Sequence, residues 1–526
     1  MWGPAGGAVT LLLGLDVGTT AIKALLFDPA TGCSVAVGQS PTIIHYPGEG
    51  RSEFDPVGLW SGAVVAIRQA LAGHAASDVA GLAVASMGEV GVPLDGADQP
   101  CYAAISWFDR RAEEFLPWWE QQVGVEQTYQ ITGQILHHMY GALKMQWLRR
   151  HEPDIWGRVR RWLSIEDYML WRLAGVAVTD YSIAGRTLLF DQQRAIWSEA
   201  LLDATGLSRA MLPEVVAGGT RVGTVTPAAA SATGLVAGTP VVTGGHDHLV
   251  GALAAGAVRP GVLLDSAGTA GGILLTVEAY TPNAALFQAG FSTYRSTYRH
   301  VVPDHFVVVG GQHGAGGLVN WLIDRLYAVD DGERPYTRAF ADATATPLGA
   351  GGLFCLPHLR GSRMPERDLR SRAAFVGLVD GHGRGHLLRA ALESLGYWLK
   401  ESVDVLCTAV GLDVQQLVVI GGATRSPLWM QIKADCTGLP LAIPQVSEAV
   451  ALGAALLAGV GAGLFADTAA AVAAVQRPSL TIEPNPAAVA QYARARAVYR
   501  QLYPSLRDVN RAILALAEGP DGIRLA

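Results

Sequence analysis

Short apolar runs alternate with longer stretches of helical periodicity along most of the chain. Short apolar runs predict strands, and apolar residues at every third or fourth position predict helices. The predicted strands cover residues 11–15, 24–27, 81–85, 241–243, 262–264, 273–275, 307–309 and 418–420. The predicted helices cover residues 58–72, 143–150, 167–173, 249–255, 316–327, 386–406, 447–458 and, at the surface, 466–475. Strands joined both by hairpins and by helical crossovers indicate an α/β chain whose mixed sheets carry helices on their faces.

Two of the predicted strand pairs are joined by a Gly-Thr turn, Gly18-Thr19-Thr20 in the first half and Gly268-Thr269 in the second. Either turn alone could be an ordinary β-hairpin turn. Two of them at equivalent places can close on one polyphosphate, because glycine lets the backbone approach closely while N–H groups and Thr hydroxyls donate to phosphate oxygens. The repeat therefore predicts a nucleotide-dependent phosphotransferase.

Two aspartates stand where such a phosphate site needs carboxylates. Asp16 precedes the first turn and could hold Mg²⁺, whereas the second turn has Ser266 at that position. Asp247 follows a predicted strand at the end that faces the crevice of an open α/β sheet, so it could take the proton of an attacking hydroxyl. An Asp at a helix start can also be an N-cap, but beside two phosphate turns we favour the general base. His246 and His248 flank it without the spacing of a zinc site.

A third glycine element follows the predicted strand 418–420. Gly421-Gly422-Ala423 separates that strand from a helix, and Ser426 lies just beyond. Two glycines let a flat base or a ribose lie against the backbone, and the Ser hydroxyl could hydrogen-bond the nucleoside. Glycines after a strand often merely turn the chain, but the position in the second half favours a nucleotide contact.

Composition narrows the class of protein. Of 526 residues, 62 are Gly and only 16% are charged, which suits large buried sheets with many tight turns. No uncharged apolar run reaches the roughly 18–20 residues of a membrane helix, and no export signal is visible, so we expect no membrane partner and a cytoplasmic protein. The five scattered cysteines predict free thiols, and a net charge of −7 without a basic block argues against nucleic acid as partner.

The length indicates two large domains, or three small ones. The Gly-, Pro- and Thr-rich stretch 208–238 separates a helical region from the Asp247 strand, and a hinge near residues 254–260 is the favoured boundary. We therefore predict domains over residues 1–257 and 258–526, the first with the acceptor site and Asp247, the second with the nucleotide site.

The order and spacing of these motifs resemble the FGGY carbohydrate kinases, the group of xylulose, ribulose, gluconate and glycerol kinases. The motifs that carry the resemblance are Asp16-Val17-Gly18-Thr19-Thr20, Gly245-His246-Asp247-His248, Ala267-Gly268-Thr269 and Gly421-Gly422-Ala423. Residues 139–148 and 373–393 resemble the two family signatures, with a departure at Gly141, where the family usually shows Pro, Ser or Thr. The resemblance implies two actin-like, ribonuclease-H-like ATPase domains with the active site in the cleft between them.

The resemblance also implies roles for single residues on the nucleotide side. ATP would be contacted by Gly18, Thr19, Thr20, Lys23, Gly268, Thr269, Gly316, Asn320, Gly421, Gly422, Ala423 and Ser426. Asn320 lies where some relatives carry a nucleotide-contacting Gln. Asp247 would be the catalytic base, and Asp16 and Asp247 together would place Mg²⁺.

On the acceptor side the resemblance implies contacts from Met87, Gly88, Glu89, Trp107, Asp109 and His248. Glycerol kinases carry an Arg where this chain has Gly88, which disfavours glycerol. Xylulose kinases show Met-His-Gly where this chain has Met87-Gly88-Glu89, which weakens xylulose and leaves other pentuloses, hexuloses and tetritols open. Glu89, Asp109 and His248 could also be solvated bystanders.

The predicted function is ATP-dependent transfer of the γ-phosphate to a hydroxyl of a ketose or a related polyol. An actin- or Hsp70-type nucleotide switch would share the two-lobed cleft, but nothing after Ser426 leaves room for a substrate-binding domain. A sugar sensor without catalysis is disfavoured because Asp16, Asp247 and both Gly-Thr turns are present. The acceptor, the phosphorylated carbon and the assembly stay open, with a homodimer among the alternatives.

Overall fold

The computed structural model describes residues 10–268, 271–280, 287, 296–312, 314–327, 334–475 and 478–518. Its strands in chain order are β1 (Leu11–Val17), β2 (Ala21–Asp28), β3 (Cys33–Pro41), β4 (Ile44–His45), β5 (Glu53–Phe54), β6 (Val79–Ser86), β7 (Gly91–Leu94), β8 (Ala104–Ile105), β9 (Arg161–Ser164), β10 (Val178–Asp180), β11 (Phe190–Asp191), β12 (Ile196–Trp197), β13 (Glu214–Val216), β14 (Arg221–Thr224), β15 (Pro240–His246), β16 (Val262–Ala267), β17 (Gly271–Val277), β18 (Ser296–Arg299), β19 (Phe306–Gln312), β20 (Phe354–Leu356), β21 (Ala374–Val376), β22 (Gln416–Ile420), β23 (Leu441–Pro444) and β24 (Ser479–Ile482).

The α-helices of the described part are α1 (Pro56–Ala70), α2 (Leu116–Gln122), α3 (Val125–Thr132), α4 (Gly141–His151), α5 (Pro153–Trp156), α6 (Ile165–Ala174), α7 (Tyr181–Ala184), α8 (Glu199–Thr205), α9 (Pro227–Thr233), α10 (Asp247–Ala255), α11 (Ala315–Leu326), α12 (Tyr336–Ala345), α13 (Arg384–Val410), α14 (Pro427–Thr437), α15 (Ala449–Gly461), α16 (Thr468–Ala473) and α17 (Pro486–Glu518).

The first sheet has the strand order β14–β15–β6–β1–β2–β3. β6 runs parallel to both β1 and β15, whereas β2 is antiparallel to β1 and β3. Val17 of β1 and His246 of β15 both pair with Ser86 of β6. The carboxyl ends of the three parallel strands therefore lie side by side at one edge of the sheet.

The second sheet has the order β18–β19–β17–β16–β22–β23–β24. β22 runs parallel to both β16 and β23, and β17 is antiparallel to both β16 and β19. From β19 to β23, this repeats the order and directions of β3 to β15 in the first sheet. The duplication confirms the predicted α/β architecture of two similar halves, and in each half the first two strands of the repeat are antiparallel neighbours.

Two helices fill the space between the sheets. The side chains of β1 alternate, so Leu13 joins the core under α1 while Leu12 joins the core with α10 and α15. α15 lies so close to β1 that a Cβ on Gly14 would meet the carbonyl oxygen of Ala451 at 1.8 Å. Gly453 approaches α10 in the same way, since a Cβ there would lie 2.0 Å from the oxygen of Val250. Only glycine fits at these two crossings.

The strands and helices predicted from the apolar pattern are confirmed, with shifted ends. The stretch 208–238 lies between a helical region and β15, as expected, and it also contains β13, β14 and α9, which the apolar pattern does not predict. The apolar pattern does not predict β14, because this strand is short, partly exposed and at the edge of the sheet. The predicted boundary at 257/258 falls between α10 and β16, yet α15, far beyond it in sequence, packs on the first sheet. The division into 1–257 and 258–526 stays a prediction.

Across the described ranges, no helix combines the length and the apolar character needed to cross a bilayer.

Candidate active site

Two aspartates meet at the carboxyl-end edge of the first sheet. Asp16 lies near the end of β1, and Asp247 opens α10 directly after β15. Burial, followed by the nearby charge of Asp247, raises the pKa of Asp16 to about 8; Glu448 adds to the rise and Lys23 opposes it. The Oδ1 atom of Asp16 is buried without a hydrogen-bond partner among the described residues. Mutually repelling carboxylates with an unpartnered oxygen fit a divalent cation.

Lys23 reaches this acidic group from β2. Its ammonium nitrogen lies 2.6 Å from a carboxylate oxygen of Glu448, the residue before α15. Both side chains are about one-quarter to one-third exposed (28% and 30%), so the pair adds little to the free energy of unfolding. The pair brings Glu448, from a distant part of the chain, to the edge of the sheet where Asp16 lies.

The first Gly-Thr turn touches the loop that the resemblance assigns to the acceptor. The Trp107 indole N–H donates to the Thr19 hydroxyl at 3.1 Å, and that hydroxyl lies 3.9 Å from the sulfur of Met87. Gly18 and the exposed Thr20 flank Thr19 in the turn. The predicted phosphate turn and the predicted acceptor loop therefore share one surface.

Glu89 is buried and pairs with Arg186 of the segment after α7. Its backbone has φ 62°, an unusual conformation for a residue other than glycine. Its carbonyl oxygen accepts a hydrogen bond of 2.7 Å from Lys144, and burial, countered by the charge of Glu89, lowers the pKa of that lysine to about 7. Gly88 lies against His246, since a Cβ would stand 2.9 Å from the imidazole. Glu89 is thus held in place rather than solvated.

Arg186 contacts residues of both halves of the protein beside Glu89. Its guanidinium carbon lies 5.3 Å from the ring centre of Tyr140 and 5.1 Å from that of Tyr298 on β18. It also donates to the side-chain oxygen of Gln134 at 3.2 Å. One acidic, one basic and two aromatic side chains therefore lie together at this place.

Asp109 is placed differently from what a ligand contact needs. It is 1% exposed, and its carboxylate accepts hydrogen bonds from the main-chain N–H of Ser52 at 2.6 Å and from the Arg111 guanidinium at 2.8 and 2.9 Å. Arg111 in turn pairs with Glu53. The carboxylate of Asp109 supports the loop that presents Trp107, which is 38% exposed.

The two histidines beside Asp247 have different surroundings. His248 is exposed, and its main-chain N–H donates to Asp247 Oδ1 at 2.6 Å. His246 is buried, its Nε2 lies 3.4 Å from the same oxygen, and burial lowers its pKa well below the usual range. The N-cap of α10 is His246 rather than Asp247, so the carboxylate of Asp247 is not used as a helix cap.

A cavity of about 590 Å³ lies at the corresponding edge of the second sheet. Its walls are formed by Ala267, Gly268, Gly316, Val319, Asn320, Tyr336, Thr337, Phe340, Gly422, Ala423, Arg425, Ser426 and Trp429. Six of the residues predicted to contact the nucleotide are among them. Gly421 lies beneath, at φ 101°, where a Cβ would meet the Ala267 oxygen at 2.7 Å. The predicted contact of Thr269 falls outside the described residues.

Replacing Gly422 by Val is expected to raise KM for ATP about tenfold or more, because the new methyl groups occupy part of this cavity. A tenfold change corresponds to a loss of about 1.4 kcal/mol of binding free energy. The nearest atom to a Cβ there is 3.7 Å away, on Arg425, so the fold tolerates the change. Initial rates at varied ATP and varied acceptor measure the effect. Gly381→Val at an open surface position is the matched control. Equal increases in both KM values would place the nucleotide elsewhere.

Several residues of both sites carry no signal in the linear sequence. Arg186, Tyr298 and Glu448 reach the first-sheet edge from distant segments. Tyr336 lines the cavity at the second-sheet edge, where its hydroxyl donates to the Asn320 side chain at 2.8 Å. A pattern search around glycine turns cannot find them, because none of them lies in such a turn.

Comparison with known proteins agrees with this geometry. Family models described as the N-terminal and C-terminal domains of the FGGY family of carbohydrate kinases match residues 11–254 and 263–462. The chain is 32% identical to a glycerol kinase of Methylibium petroleiphilum, over 94% of this chain and 99% of that one. It is 28% identical to a xylulose kinase of Lactococcus lactis, over 96% and 99%.

A solved structure extends the agreement to three dimensions. The xylulose kinase from Rhodospirillum rubrum superimposes with a TM-score of 0.87 at 29% identity, covering 95% of this chain and all of that one. The predicted family, and with it the predicted two-domain kinase fold, is confirmed. The chain belongs to the FGGY family of carbohydrate kinases.

Proposed function

We propose that the protein transfers the γ-phosphate of ATP to a hydroxyl of a ketose, either a pentulose or a hexulose, or of a related polyol. The observation that carries the proposal is the acid pair at the first-sheet edge, where Asp16 has an unpartnered buried oxygen beside Asp247. The named relatives phosphorylate xylulose or glycerol, which supports a small neutral polyhydroxyl acceptor.

In this proposal Asp247 is the general base. Its carboxylate accepts the proton of the acceptor hydroxyl as that oxygen attacks the γ-phosphorus. Lys23 and the N–H groups of the Gly18 turn bind phosphate oxygens, and the second-sheet cavity holds the adenosine. Asp16 and Asp247 would hold Mg²⁺, which neutralises phosphate charge when bound. Closure of the halves excludes water, which would otherwise compete as acceptor.

The acceptor is bound beside Glu89 and Trp107. The buried Glu89–Arg186 pair leaves no net charge there, and its oxygens and nitrogens, with the flanking rings, suit the hydroxyls and C–H faces of a sugar. Met87 and Gly88 shape the floor, His248 stands at the rim, and Asp109 acts through Trp107. Gly88 still disfavours glycerol as the preferred acceptor.

Replacing Trp107 by Ala is expected to raise KM for the acceptor about tenfold, through loss of an aromatic face worth about 1 kcal/mol or more. KM for ATP should change less, because the indole contacts the first Gly-Thr turn only through its hydrogen bond of 3.1 Å to the Thr19 hydroxyl. Trp107→Phe restores part of the loss. Trp321→Ala, an equally exposed Trp on α11, is the control. A rise confined to KM for ATP would contradict the assignment.

Coupled ADP release, measured with and without a panel of pentuloses, hexuloses and polyols, tests the proposal as a whole. Acceptor-dependent release supports the kinase, and mapping the phosphate on the product identifies the carbon. Acceptor-independent ATP turnover would favour the nucleotide switch. The homodimer considered from the sequence stays a prediction, for which light scattering is the measurement.

A further inference from the structure

The strand before Asp247 contains a bulge. Thr243 pairs with Val84 and Gly245 with Ala85, so Gly244 is an extra residue in β15. Gly245 has φ 125°, and a Cβ there would stand 2.7 Å from the Ser182 hydroxyl. A bulge removes an N–H from the sheet ladder, and a buried N–H needs another partner.

Glu166, the second residue of α6, is that partner. Its Oε1 accepts a hydrogen bond of 2.8 Å from the Gly244 N–H. Its own N–H donates to the Ser86 hydroxyl at 3.1 Å, and Ser86 directly precedes the acceptor loop. One fully buried residue therefore contacts the strand ends that lead to Asp247 and to Met87.

Asp180 holds His246 of the same turn through Ser182. Its carboxylate accepts from the N–H groups of Ser182 and Ile183, each at 2.9 Å, and from the Ser182 hydroxyl at 2.9 Å. That hydroxyl accepts the His246 N–H at 2.8 Å. Because it accepts three donors, the side chain of Asp180 functions as an ionised carboxylate.

The Glu166 and Asp180 carboxyl groups hold the same turn, Glu166 directly at Gly244 and Asp180 through Ser182, and the charge of Asp180 helps to raise the pKa of Glu166. Two buried carboxyl groups at one site repel each other when both are ionised, so we expect one of them to carry a proton. The Oε2 of Glu166 is buried with no donor from the described residues, which makes it the place for that proton.

The electrostatic surroundings agree with a neutral Glu166. Burial, then Asp180 and Asp167, raises the pKa of Glu166 well above its ordinary range. Burial also raises the pKa of Asp167 to about 7 and that of Asp180 to about 6. The titratable and charged groups on the elements that pack against α6 are Asp180 on β10, the buried His246 on β15, Arg161 on β9, which pairs with Asp98, and the exposed Arg221 on β14.

We propose that Glu166, as a neutral acid, and Asp180, as a carboxylate, share one proton and act as positioning residues for the turn that carries Asp247. The inference rests on the proposed function in so far as Asp247 is the base. The bulge turns Asp247 toward the cleft, and the two acids hold the N–H groups that the bulge exposes.

Four variants test the pair. Glu166→Gln keeps an acceptor for Gly244 and a donor for Asp180, so kcat is expected to stay within about threefold of the unsubstituted enzyme. Glu166→Ala leaves a buried N–H unpaired, which destabilises the turn, and is expected to lower kcat at least about tenfold with KM for ATP unchanged. Asp180→Asn replaces a needed acceptor by a donor and is expected to behave like Glu166→Ala. Asp167→Asn, whose carboxylate instead caps α6 through Ser164, is the control and keeps kcat.

A second readout does not depend on catalysis. Since the folded-state pKa of Glu166 lies above the unfolded value, its contribution to stability is complete at acid pH and is lost as pH rises through the folded-state pKa. Between about pH 5 and about pH 9 the melting temperature of Glu166→Gln should therefore fall less than that of the unsubstituted protein. The alkaline decline in kcat should be smaller in this variant too.

Each result of these measurements either supports or contradicts the proposed pair. The shared proton would be contradicted if the melting temperatures of Glu166→Gln and the unsubstituted protein changed in parallel with pH, or if kcat of Glu166→Gln were as low as that of Glu166→Ala. An unchanged kcat in Asp180→Asn would contradict the role of Asp180 as an ionised carboxylate. If Asp180→Asn does not fold, the melting temperatures of Glu166→Gln and the unsubstituted protein still test the pair. Diverging melting curves together with normal turnover of Asp247→Asn would keep the pair and reject the base.

Discussion

Replacing Asp247 by Asn is expected to lower kcat by about a hundredfold or more while KM values stay within about threefold. Asn is nearly the same size, and its side-chain oxygen can still accept the His248 N–H. What it lacks is the capacity to take the acceptor's proton during phosphoryl transfer. Coupled ADP release at saturating substrates gives kcat, and single-turnover phosphoryl transfer confirms that the chemical step is affected.

The matched control is Asp467→Asn. Asp467 is an exposed aspartate at the start of α16, where its side chain accepts the Ala470 N–H. The same loss of charge at a helix start, remote from the cleft, should leave kcat unchanged. Retention of most of the activity by Asp247→Asn would reject the general base and leave the acid pair with a binding role alone.

Replacing Asp16 by Asn is expected to have opposite effects on activity and stability. Activity falls by about a hundredfold at ordinary Mg²⁺ concentrations, and the half-saturating Mg²⁺ concentration rises, because one of two proposed metal-binding carboxylates is lost. Without Mg²⁺, however, the variant should melt at a higher temperature, since it removes a buried carboxylate that the charge of Asp247 disfavours.

The stability effect of Asp16 has a defined pH dependence. Its pKa is raised from 3.8 to about 8 in the folded protein. The folded state therefore loses stability as pH rises from the lower of these values through the upper one, and Asp16→Asn removes this loss. Metal-free melting curves across that range should diverge toward high pH. A pH-independent difference would show that Asp16 is not the buried acid that the structure describes.

How much the sequence predicts follows from how local each feature is. β1, its Gly-Thr turn and the Asp247 turn lie within short segments, so apolar runs and glycine positions suffice to find them. The ion pair of Lys23 with Glu448 joins residues 425 positions apart, and no periodicity indicates it. Glu166 looks in the sequence like any acidic residue in the first turn of a helix, a common position for stabilising the helix dipole. Its contact with Gly244 arises only from a bulge in another strand.

Asp109 shows a second limit of prediction from the sequence. A motif match gives a residue's place in a loop but not the direction of its carboxylate, and here Ser52 and Arg111 take the oxygens that a sugar would need. The ribonuclease-H-like halves were predictable because the order and spacing of the motifs resemble those of the FGGY carbohydrate kinases. The position of α15 was not, since its apolar periodicity would serve equally well on either sheet.

The position of α15 between the sheets determines when during synthesis the first half can complete its core. All strands of the first sheet leave the ribosome by residue 246, but one face of β1 and β6 is covered by a helix that starts at residue 449. The nascent amino-terminal half thus has only α10 over this apolar surface for about two hundred further residues of synthesis, at roughly 5–20 residues per second. The core on this face is complete only after a segment made near the end of translation has packed against it.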